Sequence, residues 1–124
     1  MRDHVEAMAR QLQNDIRLVQ NMAMTRGQRH RVYFDVPTRY RLTNNAAVNV
    51  AHPLELTGNV NFSSGVTIVA NNFGGGFLAF NGRGVPFNGA VALAAATSVQ
   101  IGKGGTTRTI TVSPQTGYVT VTSP

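Results

Sequence analysis

Residues 3–26 read DHVEAMARQLQNDIRLVQNMAMTR, and this stretch decides the fold. It contains no Gly and no Pro, although all 13 glycines and all 5 prolines of the chain lie after it. Val5, Met8, Ala9, Leu12, Ile16, Val19 and Ala23 recur at helical spacing, with Arg10, Gln13, Asn14, Arg17 and Asn21 between them. At about 100° per residue the apolar set occupies one stripe roughly 100° wide and the polar set lies on the other side. The pattern predicts a helix about 36 Å long, at about 1.5 Å per residue. Asp3 and Glu6 have the spacing of a capping box, Glu6 and Arg10 form an i,i+4 pair, and Gly27 suits a left-handed stop. A helix continuing upstream would make that cap incidental, and the local residues leave both readings open. Leu18 and Met24 sit on the polar flank, either as stray surface apolars or as contacts with neighbouring helices in an assembly.

Such a helix is marginal alone in water, because nucleation is costly and its apolar stripe would be wet. The chain after Gly27 must supply the surface that covers it. At 124 residues, 42% of them apolar, there is enough for one small structural domain with a core. The net charge is +6 with only 13% charged residues, and all basic residues but Lys103 are Arg. That balance permits an acidic partner without requiring one. The absence of cysteine excludes disulfides and thiolate metal sites. The longest apolar run, Ala90 to Ala96, falls far short of the roughly 20 residues of a membrane span.

After Gly27 the apolar period changes from 3.6 to 2. HRVYFD (His30–Asp35) and RYRLT (Arg39–Thr43) alternate around a turn at Val36-Pro37-Thr38. A three-residue loop that pairs Asp35 with Arg39 puts Val32, Phe34, Tyr40 and Leu42 on one face. It puts Arg29, Arg31, Tyr33, Arg39 and Arg41 on the other; a two-residue loop would mix the sets. Further strands are expected at Leu54/Leu56 after Pro53, Val66–Ala70, Phe77–Phe80, Val91–Ala96, Val99–Ile101, Arg108–Val112 and Tyr118–Val121. Turns are expected at Asn71–Gly76, Asn81–Gly84, Gly102–Gly105 and Gln115–Gly117. One helix followed by about seven or eight short antiparallel strands is an α+β arrangement.

Little in the chain supports catalysis. His4, His30 and His52 fall in different elements, and the acids Asp3, Glu6, Asp15, Asp35 and Glu55 are scattered without an acid/base couple. GKGGTT (Gly102–Thr107) superficially looks like a phosphate loop. It has no glycine where the first one belongs, Gly104 where Ser or Thr should follow the lysine, and no helix after it. Asn61-Phe62-Ser63 fits a glycosylation sequon, as do many unmodified loops. No catalytic residue, metal ligand, cofactor or small-molecule substrate is expected. The arginine face (Arg29, Arg31, Arg39 and Arg41, with Tyr33) is either an ordinary solvated surface or a minimal platform for nucleic-acid phosphates.

One family resemblance runs through these segments. LQNDIRLVQNMAMTRGQRHRVYF (Leu12–Phe34) resembles the part of GspH/FimT-type minor pseudopilins that follows their membrane-spanning half-helix, with Ala23, Thr25, Arg26, Gly27 and Gln28 as the matching residues. FNGRGVP (Phe80–Pro86) with Asn88-Gly89 is similar to the family's middle strand and turn. ITVSP (Ile110–Pro114) and TGYVTV (Thr116–Val121) are similar to its closing hairpin. The resemblance implies a pilin-like fold, with 1–27 the C-terminal half of the long helix and 28–124 a β-rich head. The helix–head seam would then use Val5, Met8, Leu12, Ile16, Val19 and Ala23, and assembly contacts would use Leu18 and Met24. It implies a non-enzymatic subunit of a type II secretion pseudopilus or a type IV pilus, whose partners are other pilins or pseudopilins. It further implies a hydrophobic segment upstream that reaches the inner membrane, a place in the inner membrane and periplasm or on a surface pilus, and solubility for this stretch alone. Some type IV relatives bind DNA through a basic C-terminal region. Here no basic residue follows Arg108, so that alternative would rest on the arginine face instead.

Overall fold

A computed structural model describes residues 4–50, 58–63 and 65–122, with the backbone alone at Asp35 and Gly75. The capping residue Asp3, His52, Glu55 and the strand expected at Leu54/Leu56 lie outside the described residues. Helix α1 runs unbroken over His4–Arg26. It buries Val5, Ala9, Leu12, Ile16, Val19 and Ala23, with Met8 half-buried against the same core. Gly27 stops it with φ +64°, and the Gln28 N–H donates to the Ala23 carbonyl at 3.1 Å, the six-to-one closure of a Schellman end.

Ten strands follow: β1 His30–Val36, β2 Arg39–Asn44, β3 Asn59–Asn61, β4 Thr67–Asn71, β5 Phe77–Phe80, β6 Pro86–Asn88, β7 Val91–Ala92, β8 Thr97–Lys103, β9 Thr106–Val112 and β10 Val119–Thr122. All pair antiparallel in two sheets, ordered β3-β2-β1-β5-β6-β7 and β10-β9-β8-β4. The helix rests on β1 and β5 of the first sheet and on β8, β9 and β10 of the second. It therefore closes a core that neither sheet could cover alone. The sheets also meet where the Ile68 N–H donates to the Pro37 carbonyl at 2.8 Å.

The first hairpin has the expected register but not the expected loop. Tyr33 pairs with Arg41 and Val32 with Leu42, so Val32, Phe34, Tyr40 and Leu42 are buried together. The turn itself is the two-residue Pro37-Thr38, because Val36 pairs with Arg39. A bulge between Tyr33 and Val36 takes up the extra residue and keeps the two faces sorted. Two further expectations are corrected. The strand expected over Val91–Ala96 contracts to Val91–Ala92, since small alanines give a strand little to pack with. The short strands β3 and β6, NVN and PFN, carry too few alternating apolar residues to be read from sequence.

Gln13, expected on the polar side of the helix, is only 8% exposed. Its Nε2 donates to the Val119 carbonyl at 2.9 Å. β10 is the edge of its sheet, so this amide caps a backbone group that strand pairing leaves open.

Leu12 and Ile16 are both 0% exposed at the centre of this seam. Leu12→Asp or Ile16→Asp should cost at least about 4–5 kcal/mol, much of the ~5–15 kcal/mol that holds a small domain together. A thermal melt followed by circular dichroism should show no cooperative transition; a melt close to the parent's would refute the docking seam.

Candidate functional site

The helix presents a second stripe to solvent. Arg10, Asn14, Arg17, Asn21 and Met24 are all exposed and alternate at spacings of four and three. Met24 is 51% exposed, with its sulfur against Gly84. Leu18, read either as a stray surface apolar or as an assembly contact, is half-buried and packs partly against the core. The head grips the helix next to this stripe. Gln20 Nε2 donates to the Gly84 and Thr116 carbonyls, each at 2.9 Å, so both amide hydrogens are used. Gly117, at φ +70°, lies so close that an added Cβ would meet Gln20 Nε2 and Phe80 Cε1, each at 2.8 Å.

Behind the stripe the helix is pinned by polar contacts. Asp15, only 6% exposed, accepts from the Tyr40 hydroxyl at 2.5 Å. Burial first, and the neighbouring Asp15 carboxylate second, push the Tyr40 phenol well above its ordinary range, so it stays a donor. His30, expected only as a strand or surface histidine, is buried at 1% exposure. Its Nε2 lies 3.2 Å from Arg26 Nη1 and its Nδ1 lies 3.0 Å from the Gln28 carbonyl. An arginine can only donate, so Nε2 accepts and Nδ1 carries the proton. The ring thus ties the helix end to the first strand. At the other end, Glu6 accepts from Arg10 and from Arg108 of β9. Arg108 first, then Arg10, hold its carboxyl below the ordinary value, against a smaller opposing effect of burial.

The arginine face forms as expected on the side of the six-stranded sheet away from the core. Register puts Arg31, Tyr33, Arg39 and Arg41 together, and Arg29 precedes β1. Sequence alone supplied one aromatic; the sheet adds two. Phe77 pairs with Tyr33, their rings 4.9 Å apart, and Phe87 on β6 lies under Arg29 at 4.2 Å. Arg31 stacks over Phe77 at 4.7 Å and Arg41 over Tyr33 at 4.5 Å. The rings are therefore covered by guanidinium groups, two of which also donate to neighbours: Arg31 to the Tyr33 hydroxyl and Asn45, and Arg41 to the Ala47 carbonyl and Asn49. These neighbours come from β5 and β6, so only the strand order could reveal them.

No group of three metal-ligating side chains gathers among the described residues. His4 is exposed at the start of α1, far in sequence from buried His30. GKGGTT is a hairpin turn, with Lys103 paired to Thr106 and Gly104-Gly105 between them.

A family model described as "Type II transport protein GspH" matches residues 8–116. Two solved structures share the fold. One is the minor pseudopilin EpsH of the Vibrio cholerae type 2 secretion system, 13% identical over 98% of each chain, with a TM-score of 0.65. The other is the type IV minor pilin FimU of Pseudomonas aeruginosa PAO1, 13% identical over 97% of this chain and 87% of that one, also with a TM-score of 0.65. A search of curated proteins finds no match.

Two stability measurements check the pins. Tyr40→Phe deprives buried Asp15 of a donor and should cost about 1–3 kcal/mol in urea unfolding; no loss would show the pair to be idle. Glu6 has a depressed folded-state pKa, so its stabilisation is present above the unfolded carboxylate range. It is lost as pH falls through the lower folded value. Stability should therefore drop on acidification there, by no more than about 1 kcal/mol for so exposed a group, and Glu6→Gln should flatten that drop.

Proposed function

The chain belongs to the GspH family of type II transport proteins, and on that premise we propose that it is built into a fibre through α1, as a minor subunit of a type II secretion pseudopilus or a type IV pilus. Proteins of this family are structural subunits, not enzymes. The observation that carries the assembly reading is the second, exposed stripe of α1 running along the side opposite its docked one. Spacings alternating between four and three average 3.5, the period at which helices pack side by side. On this reading the helix joins neighbouring pilin-type helices while the β head faces outward. The place of action is the inner membrane and periplasm, or a pilus at the cell surface. Among the described residues no helix is long and apolar enough to cross a membrane. The nucleic-acid alternative rests on the arginine face rather than on the helix, and is decided by the binding experiment in the following section.

Met24 is the cleaner probe of the stripe, since Leu18 also contributes to the core. Asn21→Arg with Met24→Arg should leave the melting of the isolated chain within about 0.5 kcal/mol of the parent. In the protein expressed from its own gene in its own cells, the same pair should reduce recovery in sheared fibres severalfold. Undiminished recovery would remove the helix-contact reading.

A further inference from the structure

The outward face of the six-stranded sheet is a dense, ordered concentration of positive charge that the assembly reading does not use. We propose that this face docks on an anionic phospholipid surface, its guanidinium groups binding headgroup phosphates.

The first argument is charge. Arg29, Arg31, Arg39 and Arg41 share the region against one acidic residue of the same hairpin, Asp35, while Glu6 and Asp15 are both on α1 and already engaged. The second is donor capacity. The Arg29 and Arg39 side chains make no hydrogen bond or ion pair with a described residue, and Nε of both Arg31 and Arg39 is buried without a partner. Arg31 and Arg41 already donate to Tyr33, Asn45, Ala47 and Asn49, so a phosphate would take up the donors that these bonds leave, those of Arg29 and Arg39 first. Stacking on Phe77, Tyr33 and Phe87 holds three of these groups flat in advance, so less freedom is lost on binding.

The remaining arguments choose the occupant. Single-stranded nucleic acid needs free ring faces for its bases, and here the rings are covered. A protein partner needs a bare apolar centre, and the rings that could supply one are half-buried beneath charges. The arginines also do not follow one line. They spread over β1, β2 and the residue before β1, with supporting rings on β5 and β6, across three strand spacings of about 4.8 Å. A broad face of one sheet matches a plane of phosphates better than a single strand or the curved edge of a duplex. Half-exposed aromatic rings beside arginines also suit the headgroup layer.

The test is co-sedimentation of the isolated chain with vesicles of phosphatidylcholine alone, or with an equimolar share of phosphatidylglycerol, at about 0.15 M salt. A 30-base-pair duplex serves as soluble competitor. Partitioning should be at least about tenfold stronger on the anionic vesicles. Arg31→Glu with Arg39→Glu should abolish that preference. Arg83→Glu with Lys103→Glu, the same change of charge on other surfaces, should retain it to within about threefold. Both variants should melt cooperatively, and Arg31→Gln with Arg39→Gln should weaken binding less than the glutamates do. No preference for anionic vesicles, or equal loss in the two glutamate pairs, overturns the proposal. Duplex binding that is tighter than vesicle binding and lost with Arg31 and Arg39 also overturns it, and establishes nucleic acid as the occupant. All these outcomes are read on the isolated chain, so they leave the fibre reading untouched.

Discussion

One buried seam governs this molecule: the apolar stripe of α1 laid across two sheets. Val5, Ala9, Leu12, Ile16, Val19 and Ala23 are each at most 3% exposed, and strands of both sheets meet the helix there. Each larger side chain contributes roughly 1.5–3 kcal/mol by leaving water. The helix depends on this, because an isolated helix of its length is marginal. The sheets depend on it equally. Their inner faces, from Val32 and Leu42 on one to Ile101 and Ile110 on the other, close only against the rod.

Much of that seam was legible in the sequence. The absence of Gly and Pro over residues 3–26, the helical spacing and the stop at Gly27 are strong local signals, and each has a counterpart in the structure. The first hairpin shows how a correct register can hide a wrong loop. The demand that Val32, Phe34, Tyr40 and Leu42 face inward fixed the pairing, while the backbone met it with a bulge and a tighter turn. Gln13 was misplaced for a physical reason. Hydrophobic periodicity treats glutamine as a surface residue, yet a buried edge-strand carbonyl makes an amide the best neighbour at that point. The same holds for Asp15, whose partner Tyr40 is 25 residues away and whose burial no local pattern announces.

The arginine face was legible as a set of charges but not as an arrangement. Alternation within β1 and β2 places four arginines and Tyr33 on one side. Phe77 and Phe87 join them only because β5 lies beside β1 and β6 beside β5. That order changes the meaning of the patch. With one ring, it looks like a sparse version of a stacking platform. With three rings, each beneath a guanidinium, it is a set of charges held in place.

The polar ties between rod and head have a mechanical meaning. Gln13 holds Val119, Asp15 holds Tyr40, and Gln20 holds both Gly84 and Thr116, so anchors are distributed over two turns of the helix and reach both sheets. A pull along the rod axis loads these bonds in parallel, by shear, and must break them together. A pull that peels one end of the rod away meets them one after another. The head is thus fastened more firmly against traction along the rod than against a sideways tug.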